Sequence, residues 1–117
     1  MLERDLTSPS SKFCLAKELD GWTWERVNDT PNRHRASAGF DGWLVKGLTA
    51  LRVEVKIGNS PLTKSERKKA AECQQAGEPY LILRWWPKDW QLEVLGQMWQ
   101  GSLMECLAGL ENFLERG

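Results

Sequence analysis

The sequence predicts an α/β fold, in which a mixed central sheet is flanked by helices. Segments with apolar side chains at every second position, typical of strands, are interleaved with segments that carry helix-capping signals. The predicted order of elements is α, β, β, β, α, β, β, α, and packing the helices on one sheet buries the apolar side chains of both. The length of 117 residues fits one domain, and a hydrophobic fraction of 41% supplies its core.

The N-terminal region is predicted to form a helix, a strand and a loop. Ser8 and Pro9 suit an N-cap and a first helical position, and Gly21 suits a helix end. Residues 22–27 carry aromatic and β-branched side chains, which are typical of a strand. Residues 28–39 are polar and contain Pro31, which favours a loop.

The middle of the chain is predicted to form a hairpin. Residues 43–45 suit a short strand, and Lys46-Gly47 suits a tight turn. Residues 50–57 then alternate between apolar and charged side chains, the period of a half-buried strand. Glu54 and Lys56 are two positions apart on this strand, so both point to its polar face.

Two capping boxes place the next helices. Thr63 followed by Glu66 predicts a helix that runs to about Ala76 and ends at Gly77. Residues 79–86 and 90–95 are predicted strands, separated by a turn at residues 87–89. Ser102 followed by Glu105 predicts a last helix, which continues through residue 114.

Composition limits the class of protein. The chain contains no apolar run long enough to span a bilayer, and its start, with three charges in five residues, has no secretory signal. Three scattered cysteines, Cys14, Cys73 and Cys106, indicate reduced buried thiols, and one histidine cannot build a multi-histidine zinc site. We therefore expect a cytoplasmic protein, in the host-cell cytoplasm if it is phage-encoded.

Asp41, Glu54 and Lys56 are the residues with predicted chemistry. Asp41 precedes a strand that pairs with the strand of Glu54, so the two carboxylates are expected to meet at adjacent strand ends. Two carboxylates suit a hard cation such as Mg²⁺, which activates water and polarises a phosphate. A lysine beside them can orient the water or offset transition-state charge. The alternative is a solvated strand, since the E-x-K triplet is common.

Residues 39–86 resemble the PD-(D/E)xK nuclease superfamily. The chain is most similar to virus-type replication-repair nucleases and to small Holliday-junction resolvases of phage and archaeal type. The resemblance implies a restriction-endonuclease-like fold, with Asp41 as the first aspartate, Glu54 as the second acid and Lys56 as the lysine. Phe40 stands where the family usually has proline. The implied cofactor is Mg²⁺, with Mn²⁺ as a substitute, and the implied metal residues are Asp41, Glu54 and Val55.

The resemblance also implies a glutamate on the first helix. Glu3 lies at about the expected distance before the first predicted strand, and it is the fourth candidate catalytic residue. There are two alternatives. Glu18 could be the glutamate of the first helix, or Glu3 could be only an exposed surface charge. Family members often carry a glutamine in the helix after the lysine strand; this chain has Glu66 near that place and Gln74 and Gln75 further along, so the sequence assigns that role to none of them.

Two basic clusters are candidates for DNA binding, although the chain has a formal net charge of zero. One lies in the loop before Asp41 and the other on the helix after the lysine strand; their members are Arg33, His34, Arg35, Lys64, Arg67, Lys68 and Lys69. Phosphate contacts by such residues give affinity without sequence information. The alternative in both places is a solvated basic surface.

These observations predict a single nuclease domain over residues 1–117, with its core at 39–86 and a C-terminal strand and helix at 87–117. The predicted activity is that of a divalent-metal-dependent endodeoxyribonuclease, structure-specific for branched DNA such as a four-way junction. A restriction-type or repair nuclease with another DNA target is one alternative. A non-catalytic nucleic-acid-binding module of the same fold is the other.

A homodimer is the expected working form. The apolar residues of the C-terminal segment exceed what a small domain is expected to bury, and exposed apolar patches usually mark interfaces. They include Trp85, Trp86, Trp90, Met98, Trp99, Leu103, Met104 and Leu107. Two symmetric cuts in a four-way junction would also suit a twofold dimer. The alternative is that the final helix packs on the chain's own sheet and buries these residues.

Overall fold

A computed structural model describes residues 1–27 and 40–116 of the chain. Its elements are α1 (Glu3–Thr7), a 3-10 turn (Leu15–Glu18), β1 (Thr23–Arg26), β2 (Gly42–Lys46), β3 (Thr49–Ile57), α2 (Lys64–Ala76), β4 (Tyr80–Trp85), β5 (Trp90–Val94), β6 (Gln97–Gly101) and α3 (Leu103–Arg116). The six strands form one sheet in sequential order. Neighbouring strands are antiparallel except β3 and β4, which are parallel and joined through α2. The predicted mixed sheet with flanking helices is confirmed.

One face of the sheet forms the main apolar core. Every second residue of the central strands points to this face, and Val53, Val55 and Leu83 are completely buried there. α3 packs on this face through an apolar stripe that includes Leu107 and Leu110, both also completely buried. We call this side of the sheet the core face.

The opposite face carries charged and polar side chains, and α2 lies against it. Parallel pairing aligns Glu54 with Ile82 and Lys56 with Arg84, so these side chains form adjacent rows. A small second cluster of Phe40, Cys73 and Tyr80 joins α2 to the sheet. We call this side the site face.

The two predicted capping boxes are confirmed. The Thr63 hydroxyl accepts a hydrogen bond from the Glu66 backbone N–H at 3.2 Å, and a Glu66 carboxylate oxygen accepts one from the Thr63 N–H at 2.7 Å. Ser102 and Glu105 repeat the arrangement at the start of α3. Gly77 ends α2 in the left-handed conformation, with a φ of 71°, which glycine adopts without steric cost.

The prediction of a helix from Pro9 to about Gly21 is wrong. The helix lies before the proline: α1 begins after Leu2, whose N–H donates to the Asp5 carboxylate at 2.8 Å, and ends at Thr7. Ser8 is extended, as expected for a residue that precedes proline. Pro9 therefore follows the helix, and the segment after it contains only the 3-10 turn among its described helical elements.

The predicted element order also lacked a strand. A tight turn at Leu95 and Gly96, with φ angles of 48° and 79°, connects β5 to β6. Such a turn usually has Asn-Gly or Asp-Gly, and leucine is rare at positive φ. The hairpin signal was therefore absent from the sequence, although the alternating residues of β6 pair with β5 over its whole length.

The burial argument for a homodimer fails for several of the residues that suggested it. Trp90, Leu103 and Leu107 are buried within a single chain, because α3 packs on the chain's own sheet. Met98 is 60% exposed, and Trp99 is half-buried. The apolar residues of the C-terminal segment thus belong mostly to the core of one chain.

The remaining composition-based expectations concern thiols and membranes. Cys14, Cys73 and Cys106 are all buried and free, as predicted. Within residues 1–27 and 40–116, no helix has the length and apolar character needed to cross a bilayer.

Candidate active site

The centre of the site face is strand β3, which positions Glu54 and Lys56. Glu54 is completely buried and Lys56 is 4% exposed, although an alternating strand with charges on one face would usually expose them. α2 covers this part of the sheet and removes both side chains from water. The interpretation of Glu54 and Lys56 as a solvated surface pattern is therefore wrong.

Asp41 directly precedes β2, which pairs with β3, so Asp41 lies beside β3. The Asp41 backbone N–H donates to the Val53 carbonyl at 2.9 Å, which continues the β2–β3 pairing. Its side-chain Oδ2 accepts a hydrogen bond from the Val55 N–H at 2.7 Å. The Asp41 carboxylate therefore occupies the place of a strand partner next to Glu54, as predicted from the sequence.

Gly42 allows β1 to approach this point. A Cβ atom added to Gly42 would lie 2.6 Å from the Glu25 carbonyl oxygen and 2.6 Å from the Trp24 ring. Real Cβ atoms do not come so close to backbone atoms, so a glycine is required after Asp41. This close packing fixes the backbone that carries the aspartate.

The carboxyl groups of the site lie close together, and each makes ionisation of its neighbours less favourable. Burial raises the pKa of Glu54 far above its usual value, and the adjacent carboxyl groups of Asp41 and Glu66 raise it further. A buried group of several carboxylates is unfavourable unless a positive charge or shared protons offset it. The arrangement is thus suited to hold a cation.

Lys56 supplies one such positive charge. Its Nζ lies 2.8 Å from Glu66 Oε1 and 3.9 Å from Glu3 Oε1. Burial alone would lower the pKa of Lys56, but the contacts with Glu66, Glu3 and Glu54 raise it above its usual value. Lys56 is therefore a fixed ammonium group at the edge of the carboxylate cluster.

Glu66 is a site residue that was not among the candidates from the sequence. Burial would raise its pKa, but the bonds from Lys56 and from the Thr63 N–H lower it, so it is a carboxylate. The capping box that starts α2 aims this side chain at the sheet. The signal was available: a capping-box glutamate in the first turn after the lysine strand lies close to that strand.

Arg84 is the second residue that the sequence reasoning missed. Its Nη1 donates to the Gly58 carbonyl at 2.8 Å and to the Ser60 carbonyl at 2.6 Å. Arg84 thus fixes the loop between Lys56 and the start of α2. The available signal was a single arginine in the apolar sequence of β4. Arg84 pairs with Lys56 across the β3–β4 pair.

The structure distinguishes Glu3 from Glu18. Glu3 begins α1 and faces Lys56 across 3.9 Å. Glu18 instead accepts hydrogen bonds from the Trp90 indole N–H, at 3.1 and 3.2 Å to its two oxygens. Of the two upstream acids, Glu3 is the one next to the site.

The predicted DNA-binding residues of α2 are mostly exposed. Lys64, Arg67 and Lys68 face solvent, and Lys69 is half-buried. Arg67 donates to the Leu62 carbonyl at 2.9 Å, so part of its function is to secure the start of the helix. The other basic cluster, Arg33, His34 and Arg35, lies outside the described residues.

The oxygen atoms of the site fit a magnesium ion. Mg²⁺ is commonly held by one or two carboxylates, with water and substrate phosphate completing its coordination, and Asp41 and Glu54 supply two adjacent carboxylates. Val55 has a hydrocarbon side chain in the core, so it offers only its backbone carbonyl. Among the described residues, no set of three or more His, Cys, Asp or Glu side chains is arranged as a protein-only metal cage.

The chain has distant similarity to solved structures and none to known family models or curated sequences. No protein-family model and no curated protein sequence matches the chain. Among solved structures, the chain is similar to Hjc, a Holliday junction resolvase from the archaeal hyperthermophile Archaeoglobus fulgidus, with a TM-score of 0.47 and 16% identity. The similarity covers 80% of this chain and 84% of that one. At this distance, the activity of that resolvase does not transfer to this chain.

Proposed function

We propose that this chain is a divalent-metal-dependent DNA endonuclease of the PD-(D/E)xK type. The observation that supports the proposal is a buried cluster on one face of the sheet, in which the carboxyl groups of Asp41 and Glu54 interact and Lys56 pairs with Glu66. Buried charges cost stability unless they are paired. A folded chain that buries this many ionisable groups at one end of its central strand is best explained by a chemical task.

Each of these residues has a specific role in phosphodiester hydrolysis. Asp41 and Glu54 would hold Mg²⁺ or Mn²⁺, with the Val55 carbonyl beside them. When bound, the metal polarises a phosphate oxygen and lowers the pKa of a water molecule. Lys56 faces the same space with an ammonium group that offsets the charge developing on the phosphate. An ammonium has three N–H donors, so its contact with Glu66 leaves donors for substrate.

Glu66 and Glu3 act through Lys56 in this proposal. Glu66 is held by the Thr63 cap and in turn holds the lysine Nζ at 2.8 Å. Glu3 adds a second acidic contact from α1. They are positioning residues, because a lysine on a strand has a long side chain that would otherwise adopt many rotamers.

The proposed substrate is DNA, specifically branched DNA such as a four-way junction. The exposed basic side chains of α2 begin within one helical turn of Glu66, where they can contact phosphates that flank the cut. The proposed working form is a homodimer, which would provide two active sites for the two strands of a junction. Sedimentation at micromolar concentration tests this: a monomer that still cleaves junctions, with a rate first order in enzyme, excludes the dimer.

A substrate panel tests the proposed activity. Four-way junction, flap, nicked duplex, single strand and linear duplex are incubated with Mg²⁺, with Ca²⁺ and with EDTA. We expect cleavage of the junction in Mg²⁺, binding without turnover in Ca²⁺, and no cleavage in EDTA, because Ca²⁺ is larger and less strict in geometry. Full activity in EDTA would exclude the metal mechanism.

The Glu54→Gln variant ties the activity to the site. It keeps the size of the side chain and removes one metal-binding charge, so we expect cleavage to fall by ~100-fold or more. Glu93→Gln is the matched control, since Glu93 is an exposed glutamate on the same face of the sheet. Normal cleavage by Glu54→Gln would refute the assignment.

A non-catalytic nucleic-acid-binding module is the second candidate. It is supported by the exposed basic side chains of α2, Lys64, Arg67 and Lys68, which can contact phosphates whether or not a metal is bound. Junction binding that is equal in Mg²⁺ and EDTA, with no product at any enzyme concentration, would support this candidate over the nuclease.

A further inference from the structure

The site face continues beyond Lys56 as a row of polar side chains. Strand pairing aligns Lys56 with Arg84, Arg84 with Gln91, and Gln91 with Gln100. These four residues lie on successive strands β3 to β6 and point to the same side. Neighbouring strands are about 4.8 Å apart, so the row runs roughly 14 Å outward from the proposed catalytic lysine.

The outer end of this row opens into a shallow, solvent-open cavity of about 480 Å³, lined by Trp86, Pro87, Lys88, Asp89, Gln91 and Gln100. Its volume is within the range of small-ligand sites, roughly 300–1,000 Å³. α2 does not line it, so this part of the site face is open to solvent. None of its residues belongs to the candidate metal site.

Trp86 forms a wall of the cavity next to the loop between β3 and α2. The ring packs against Gly58, where an added Cβ atom would lie 3.5 Å from the indole. Gly58 is two residues after Lys56, and its carbonyl is held by Arg84. The indole Nε1 is buried and donates to none of the described residues, so packing and not hydrogen bonding sets the orientation of the ring.

Two glutamine side chains form the wall across from the turn. Gln100 donates to the Asp89 carboxylate at 2.9 Å, and its Oε1 lies 3.4 Å from the Gln91 Nε2. The turn itself is closed by reciprocal backbone hydrogen bonds between Trp86 and Asp89, at 2.9 and 3.2 Å. The cavity is thus built from a rigid turn and two oriented amides.

We propose that this cavity binds one unpaired nucleobase of the DNA strand that crosses the site face. The inference rests on the proposed nuclease function for the choice of nucleic acid. A flat indole offers a stacking surface for any base, and glutamine amides match the donor–acceptor pattern of a base edge, adenine in particular.

The charge of the cavity favours a base over a phosphate. Lys88 and Asp89 contribute opposite charges, so the cavity has no net positive charge to attract an anion. The positive groups lie further inward: Arg84 is bonded to the Gly58 and Ser60 carbonyls, and Lys56 lies in the proposed active site. A strand whose scissile phosphate lies at the proposed active site would present a neighbouring base to Trp86.

Equilibrium binding to short oligonucleotides tests the proposal without requiring cleavage. The probes are fluorescein-labelled ten-residue dA and dT oligonucleotides and an abasic oligonucleotide of the same length and charge. We expect the wild-type chain to bind the dA probe roughly tenfold more tightly, the typical effect of one base stacked on an aromatic ring. Trp86→Ala should abolish the difference between probes, and Trp86→Phe should retain most of it.

Two further variants make the outcome decisive. Gln100→Ala alters an exposed side chain, so it should fold normally and reduce the preference for dA over dT. Glu93→Gln, on the same face but outside the cavity, should change neither ratio. Equal affinity of the wild-type chain for dA and abasic probes, or a difference that persists in Trp86→Ala, would overturn the proposal.

The same measurement separates this proposal from the nuclease function. A base preference that depends on Trp86, in a protein that cleaves no DNA, would refute the nuclease and leave the base site standing. Metal-dependent cleavage with no base preference would refute the base site and leave the nuclease function standing.

Discussion

The two faces of the sheet differ in what they contain and in what holds them together. On the core face, α3 and α1 cover the strands with apolar side chains that are completely buried. The site face holds the buried side chains of Asp41, Glu54, Lys56 and Glu66, and the adjacent apolar cluster has three buried members among the described residues. The same strand, β3, supplies residues to both.

This difference indicates a division between stability and chemistry. Burial of apolar surface stabilises the fold by roughly 25 cal/mol per Å², whereas buried ion pairs frequently add nothing or cost stability. Apolar burial on the core face therefore has to supply the stability of the fold, because the charged cluster on the site face supplies little. Substitutions on the core face are expected to lower the free energy of unfolding. Substitutions on the site face are expected to lower the cleavage rate while the fold persists.

The largest effect on stability is expected from the core face. Leu107 of α3 is completely buried, and Leu107→Ala should lower the free energy of unfolding by about 2–5 kcal/mol. Urea denaturation measures this loss. Leu48→Ala is the matched control, because Leu48 is fully exposed at the tip of the β2–β3 hairpin and should change stability by less than about 0.5 kcal/mol.

A substitution on the site face should lower the cleavage rate and leave the fold intact. Asp41→Asn keeps an oxygen that can accept the Val55 N–H and removes the charge, so the fold should persist while cleavage falls by ~100-fold or more. Rates and melting temperatures are measured together. If Asp41→Asn unfolds the protein and Leu107→Ala does not, the division between faces is incorrect.

Metal binding should stabilise the site face specifically. At a Mg²⁺ concentration ten times its Kd, a single native-state site adds about 1.4 kcal/mol to stability. We expect a matching rise in melting temperature for the wild-type chain and little or none for Glu54→Gln. An equal rise in both would mean that the ion binds elsewhere.

The smallest effect is expected on the outer surface of α2. Neutralising Lys64 and Lys68, both exposed, should weaken DNA binding and reduce the slope of log Kd against log salt by about two. The control is the same change at Lys12 and Lys17, which are exposed elsewhere. If both double variants give the wild-type slope, α2 carries only a solvated basic surface.

The parts of the fold that sequence could predict are those with local signals. The alternation of β3 and the capping boxes at Thr63 and Ser102 identify their elements directly. The helix at the N-terminus was misplaced because Ser8-Pro9 is compatible with a helix start, and only the chain's packing reveals that the helix precedes it. The β5–β6 turn uses a leucine at positive φ, for which the sequence carries no signal.

The candidate site follows the same pattern. The positions of Asp41, Glu54 and Lys56 could be predicted because strand periodicity and hairpin pairing are regular. Local signals mark Glu66 and Arg84 as polar residues near the lysine strand, but they do not give their partners. The contact of Lys56 with Glu66 depends on how α2 lies on the sheet, and that of Arg84 with the Gly58 carbonyl depends on the path of the β3–α2 loop.

The central position of β3 has a consequence for the motions of the site. β3 pairs with β2 on one side and β4 on the other, so its amides can exchange with solvent only when a large part of the sheet opens. The candidate catalytic side chains are therefore attached to backbone that should be among the last to exchange deuterium. Thermal inactivation should then coincide with global unfolding, because β3 cannot open independently of the sheet.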